Sequence, residues 1–356
     1  MKLFISKLHY KNVNNLDFFE KFSLKVLLFF SFFYNFVVRI RNLLYDFRII
    51  KAYNSGVYTV SIGNITTGGV GKTPVCAEFA NYFAAKGKRV AILSRGYGGL
   101  LDNKIPNVIS NGEQVFYDSD MAGDEPYWLA NSCCASSVIT CASRVKAAKL
   151  AVSELGAQVL LLDDGFQHRK LRRNLNIVLV DAKNKFGNGM VLPAGPLRED
   201  LINIKRADKV VVVNKSFDDQ EAVCFCRELE KDYSKKVYLC NLQPDRAYNI
   251  INNAPLEKGA RVIAFSAIGQ PKGFYDFLKN DYELAVTVDF EDHYSYSEDS
   301  LRDLLKVAAE ENIEKLITTE KDAVKMKNIL LKMKPDISIY ALKLKASIDI
   351  EEICNA

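Results

Sequence analysis

The run Ser61-Ile62-Gly63-Asn64-Ile65-Thr66-Thr67-Gly68-Gly69-Val70-Gly71-Lys72-Thr73-Pro74 follows an alternating apolar stretch, 57–62, and opens a helical pattern over 73–86. A strand, a glycine-rich turn and Gly-Lys-Thr at a helix start wrap backbone N–H groups around the phosphates of a nucleotide. In that reading Thr66, Thr67, Gly68, Gly69, Val70 and Gly71 form the cradle. Lys72 reaches the outer phosphates, and the Thr73 hydroxyl holds Mg2+. Pro74 costs little there, because the first helical turn has no N–H partner to lose. Thr66 stands where the usual G-x-x-x-x-G-K-[ST] pattern has glycine, and Gly68 and Gly69 supply the backbone freedom instead. A fortuitous turn is the weaker account, given the strand before and the helix after.

A strand-then-helix alternation continues beyond this loop. Apolar runs at 89–94, 138–141, 159–162, 177–180 and 209–213 are separated by helical patterns such as 143–155. Such runs form a mainly parallel sheet covered on both faces, with ligands at the carboxyl ends of its strands. The loops after Ile62, Ser94, Leu162 and Val180 are therefore expected to share one crevice. The fold class expected is α/β: a P-loop-type, mainly parallel sheet domain with an N-terminal amphipathic helix, plus a smaller second α/β domain. The expected divisions are an arm at 1–51, the P-loop domain at 52–235, an extended connector at 236–254 and the second unit at 255–356.

Charge sets the arm apart. Residues 1–51 hold nine Lys or Arg against three acidic residues, whereas the other residues sum to a single negative charge. Phe recurs at 18, 19, 22, 29, 30, 32, 33, 36 and 47, with neither Gly nor Pro from Leu16 to Ile50. The uncharged, largely apolar run, 26–38, is shorter than the roughly 20 residues a spanning helix needs, and no small-residue cleavage site follows it. A helix lying in a membrane interface fits both length and charge, with its basic residues among anionic headgroups. A helix buried in the protein's own core and a single crossing with snorkelling ends are the alternatives. The eight cysteines form no CxxC pair and no zinc-type spacing, which speaks against metal or redox roles and for free thiols in a reducing cytosol.

Several polar clusters fall at strand ends. Asp163-Asp164-Gly165-Phe166-Gln167-His168 places two carboxylates directly after a buried strand, where P-loop proteins fix Mg2+ beside a triphosphate. Ala122-Gly123-Asp124-Glu125-Pro126 precedes an amphipathic helix and, read locally, favours a helix cap over catalysis. Asp292-His293-Tyr294 follows another strand, and loop packing explains it as well as proton transfer does. Arg198, in Leu192-Pro193-Ala194-Gly195-Pro196-Leu197-Arg198-Glu199, suits a phosphate oxyanion or an ion pair with Glu199 or Asp163. Thr319-Glu320-Lys321-Asp322 reads equally as a helix cap or a site.

Taken in order, these clusters and Ser94-Arg95-Gly96-Tyr97-Gly98 resemble the tetraacyldisaccharide 4′-kinase family of lipid A biosynthesis across most of the chain. The resemblance implies transfer of the ATP γ-phosphate to the 4′-hydroxyl of an acylated disaccharide 1-phosphate. It also implies a membrane surface as partner through residues 1–51, no nucleic acid, and a place on the cytoplasmic face of the inner membrane. It assigns Asp124 as general base with His293 in support, reversing the local reading of both loops. It gives Lys72 and Arg198 catalytic roles, with ATP and Mg2+ as cofactors and Thr73, Glu125, Asp163, Asp164 and Gln167 as metal or water-shell partners. Asp200 departs from the family pattern, which has proline after Leu-Arg-Glu. The competing reading is a membrane-associated partitioning ATPase, whose loop differs from 67–73 by one residue. Such switches need a lysine where this chain has Thr67.

Overall fold

Strand β1 (Tyr58–Asn64) is buried from its second residue to its last, because parallel partners flank it on both sides. These partners are β5 (Val159–Asp163) and β6 (Leu175–Asp181), all-buried and, for β5, almost wholly aliphatic. Around them lie β2 (Val90–Ser94), β4 (Ser136–Thr140) and β7 (Lys209–Asn214), all parallel, with β3 (Asn107–Asn111) antiparallel at one edge. The computed structural model describes residues 5, 8–11, 15–133, 135–269, 271–291 and 294–355. Of the residues expected to act, His293 lies outside the described residues, as do its neighbour Asp292 and Cys134.

The sheet continues through β8 (Val237–Asn249) into β9 (Arg261–Ser266), β10 (Glu283–Asp289), β11 (Lys315–Thr319) and β12 (Ser338–Ser347). Residues 237–241 of β8 pair in parallel with β7, whereas residues 241–249 pair with β12 in antiparallel fashion. Strands β9, β10 and β11 run parallel to β12 and so oppose the first set. Since β8 extends past the end of β7, the carboxyl ends of the two parallel sets point towards each other across a crevice. The segments read from sequence as extended stretches between two units are thus one continuous strand. The chain then returns: α10 (Ile350–Asn355) packs Ile350 and Ile353 into the aliphatic core of the first half.

Other helices among the described residues include α1 (Phe18–Asp46), α2 (Lys72–Ala85), α3 (Ser119–Ala122), α4 (Asp124–Ser132), α5 (Arg144–Ser153), α6 (Gln220–Tyr233), α7 (Pro271–Leu278), α8 (Glu298–Glu310) and α9 (Glu320–Met333). Helix α1 starts at a capping box in which Asp17 and Glu20 satisfy each other's backbone N–H. It runs 29 residues, and by length and composition it could cross a membrane. It buries a narrow stripe of Leu24, Ser31, Val38 and Asn42 and leaves Phe18, Phe19, Phe22, Phe29, Phe32 and Phe36 exposed. That distribution overturns the core-helix alternative.

The stripe docks on the 191–200 loop. Ser31 donates to the Val191 carbonyl, Tyr34 Oη to the Arg198 carbonyl at 2.9 Å, and Asn42 to Glu199 at 2.9 Å. Asp200 accepts from Asn35 at 3.0 Å and from Arg39 at 2.7 Å. Its φ of −55° is one that proline also adopts, so the loop keeps a proline-compatible path and gains two ties to α1.

Candidate active site

The phosphate loop owes its shape to Gly71, which caps α2 at φ 101°, a left-handed conformation that penalises side chains. A Cβ there would also lie 3.2 Å from Leu242. The loop is laced to the 191–199 segment: Thr67 N–H donates to Pro196 O at 2.8 Å and Arg198 N–H to Ile65 O at 2.8 Å. Across from it, Lys215 donates to the Gly69 carbonyl and pairs with Asp181 at 2.7 Å. From the chain's beginning, Tyr10 Oη reaches Thr67 O at 3.3 Å.

Gly63 brings in the acidic loop. A Cβ at that position would lie 2.5 Å from Phe166 N, so only glycine lets the 164–167 turn close on β1. Asp164 adopts φ 53°, a left-handed conformation tolerated by aspartate better than by most residues. Its carboxylate accepts from Arg198 Nη1 at 2.8 Å on each oxygen and lies 3.8 Å from Lys72 Nζ. Burial opposes its ionisation, but Lys72 and Arg198 outweigh burial and hold the carboxyl below its usual range. The Arg198 partner is therefore Asp164, not Glu199 or Asp163.

Asp163 is the more perturbed acid. It is 2 % exposed, and burial, with Glu125 and Asp164 adding negative charge, pushes it up to about 7. Ser94 donates to Oδ2 at 3.5 Å, Arg144 donates to the backbone carbonyl at 3.4 Å, and Oδ1 is a buried atom without a partner. A buried carboxylate with an orphaned oxygen, beside a second acid and a hydroxyl-bearing phosphate loop, fits a hard divalent cation. Gln167 is committed inside the protein, donating to Asn64 O at 2.9 Å and Glu199 Oε1 at 3.1 Å and accepting from Arg198 at 3.4 Å. His168 beside it is pushed down to about 4 by burial and by Arg144, Arg173 and Lys170, so it is neutral at pH 7.

Asp124 does not cap its helix. Gly123 is the N-cap and makes no side-chain bond, Asp124 is the first helical residue, and its carboxylate lies 3.3 Å from Lys325 of α9. The 95–101 loop holds the preceding turn, with Leu100 N–H on Asp120 O at 3.0 Å and Leu101 N–H on Met121 O at 3.1 Å. Thr319 does cap α9, accepting from Asp322 N–H at 3.1 Å, and Glu320, half-buried and accepting from Tyr248 Oη at 3.3 Å, is driven up to about 7 by desolvation.

The structure thus brings Thr66 to Thr73, Asp163, Asp164, Gln167 and Arg198 to one carboxyl edge, with Glu125 near enough to act on Asp163. Sequence reasoning missed Arg144, Glu199 and Lys325. Arg144 carried a signal, as a basic residue one position inside a helix start that faces the acidic loop. Lys325 and the Asn42 and Gln167 partners of Glu199 are remote in sequence, and although Arg206 lies only seven residues from Glu199, no spacing rule pairs them.

Comparison with known proteins places the whole chain. The profile of the family described as tetraacyldisaccharide-1-P 4′-kinase, LpxK, matches residues 24–356. A tetraacyldisaccharide 4′-kinase of Halothermothrix orenii is 34% identical over 344 residues, covering 90% of this chain and 89% of that protein. One from Geobacter metallireducens is 37% identical over 327 residues, covering 88% and 91%. The crystal structure of the "apo" form of LpxK from Aquifex aeolicus in complex with ATP superposes with a TM-score of 0.72 at 32% identity, covering 92% of this chain and 96% of that one.

Proposed function

Because the chain belongs to the tetraacyldisaccharide-1-P 4′-kinase family and is an ATP-using kinase of lipid A biosynthesis, we propose that Asp124 is its general base and that the crevice above β1 and β5 is where phosphate is transferred. The observation that carries this is the convergence of Lys72, Arg198, Asp163 and Asp164 at one strand edge, with Asp124 at the start of a helix tied to the opposing half. Asp124 takes the proton of the acceptor 4′-hydroxyl as its oxygen attacks the γ-phosphorus in line. The bond from that phosphorus to the β–γ bridging oxygen breaks, and ADP leaves. Lys72 and Arg198 meet the charge that accumulates on the phosphate oxygens, so most of the rate comes from placement and electrostatics. His293 is assigned to support Asp124. Mg2+ would be held by Thr73 and Asp163, with Glu125, Asp164 and Gln167 around it, and when bound would neutralise the polyphosphate. The unit from residue 255 serves as a lid that excludes water from the crevice.

The acceptor carries several acyl chains and stays in a bilayer, so the enzyme must work at a membrane surface. The exposed Phe face of α1, with T-shaped pairs such as Phe29–Phe33 at 5.1 Å, is the assigned contact, on the cytoplasmic face of the inner membrane. The partitioning-switch alternative requires a lysine at position 67, where Thr67 is instead bonded into the 191–199 loop.

Transfer of labelled γ-phosphate from ATP to tetraacyldisaccharide 1-phosphate in detergent micelles, with Lys72→Ala alongside, tests this reading. Label in the lipid with the parent enzyme and none with the variant is the expected result. Label released only as free phosphate overturns it.

A further inference from the structure

We propose that Lys325 is a positioning residue for phosphate transfer, fixing the Asp124 carboxylate and joining it to the loop that follows β10. Lys325 Nζ lies 3.3 Å from Asp124 Oδ2 and donates to the Tyr294 carbonyl at 3.0 Å. Its side chain is only 10% exposed. A lysine ammonium is strongly hydrated and has a flexible stem, so holding it in such a place costs both solvation and side-chain entropy. It persists because a carboxylate and a carbonyl are set to receive it.

The setting is rigid on both sides. Helix α9 packs against α4 and is pinned at its start, where Asp322 accepts from Ala267 N–H at 3.0 Å and from the Thr319 hydroxyl at 2.7 Å. At the first position of α9, Glu320 accepts from Tyr248 Oη at 3.3 Å and from Leu344 N–H at 3.4 Å, tying the helix start to β8 and β12. Both bonds to Asp322 fall on its Oδ2, and the ion-pair partner of Lys325 among the described residues is Asp124, on the facing helix, rather than Asp322 on its own. Asp124 sits at the first position of α4 and its capping residue is a glycine, so nothing in its own turn orients it. Lys325 holds one oxygen and leaves the other for the acceptor hydroxyl. Because the Tyr294 carbonyl shares the same ammonium, the loop neighbouring His293 is registered against the base by a single side chain.

This inference rests on Asp124 as the base, and the test separates the two. Transfer of labelled γ-phosphate is measured in micelles for the parent, Lys325→Met, Lys325→Arg, Asp124→Asn and the Lys325→Met/Asp124→Asn double variant, with ATP affinity measured for each. Lys325→Met is expected to lower kcat about 10- to 100-fold with the KM for ATP unchanged, and Lys325→Arg to recover to within about fivefold of the parent. Adding Lys325→Met to Asp124→Asn should cost less than about a further twofold, because both act on one carboxylate. A parental kcat for Lys325→Met, or independent multiplicative losses in the double variant, overturns the positioning role. Parental turnover by Asp124→Asn overturns the base assignment instead. Should Lys325→Met not fold, Lys325→Gln, which keeps a donor without the charge, carries the same comparison.

Discussion

The Asn42 side-chain amide donates at 2.9 Å to Glu199, a carboxylate with no exposure to solvent, and so joins the aromatic helix to the loop that laces the phosphate loop. Glu199 also accepts from both terminal nitrogens of Arg206, at 2.7 and 3.1 Å, and from Gln167 at 3.1 Å. Burial works against its charge, and the Arg206 pairing overcomes that. Glu199→Ala leaves the Arg206 guanidinium buried without its counterion and should cost about 3–5 kcal/mol in urea unfolding. Asn42→Ala removes one neutral donor from a charged acceptor and should cost about 1–3 kcal/mol.

Asp124→Asn preserves the shape of the helix start and removes the proton acceptor. The kcat should fall by about 100-fold or more, while ATP binding, followed by calorimetry, stays within about twofold of the parent. Retained turnover would move the base elsewhere in the crevice.

Asp163 makes stability depend on pH. Its folded pKa of about 7 lies above the ordinary carboxylate value of 3.8, so its contribution is complete below 3.8 and is lost as pH rises through 7. Asp163→Asn stays neutral throughout. Without nucleotide, the variant should therefore match the parent at pH 4 and exceed it by about 1–3 kcal/mol at pH 8, while losing transfer. Urea titrations at the two pH values check this; an equal difference at both would remove burial of charge as the cause.

Replacing exposed Phe29 and Phe33 by serine should leave folding stability within about 0.5 kcal/mol, since neither belongs to the buried stripe of α1. Co-sedimentation with anionic liposomes should drop severalfold. Unchanged pelleting would assign membrane contact to another surface.

The phosphate loop, the acid pair and the parallel strands around them were legible because each is a local pattern: an apolar run, a glycine, then a charged residue at the strand's end. Asp124 was not legible locally. The base role proposed for it rests on a setting, Gly123 at the cap and a lysine some two hundred residues later, for which no spacing rule exists. The resemblance to a known family supplied what spacing could not. The aromatic arm shows the same limit. Its Phe pattern announced an apolar helix, but the stripe of Leu24, Ser31, Val38 and Asn42 that docks it is defined by partners at 191–200. Asp200, a mismatch as a letter, becomes intelligible once Asn35 and Arg39 are seen to reach it.

The offset pairing of β8 has a mechanical consequence. One unbroken backbone is riveted to β7 along its first five residues and to β12 from Asn241 onwards. Opening and narrowing of the gap between the two carboxyl edges must be taken up as elastic twist in that backbone near Asn241, because no slack tether joins the halves there. In the closure proposed above, the halves would act as the arms of a leaf spring bent at that strand. Stiffening the strand at Leu242 or Gln243 would therefore change how fast product escapes before it changed how tightly ATP is held.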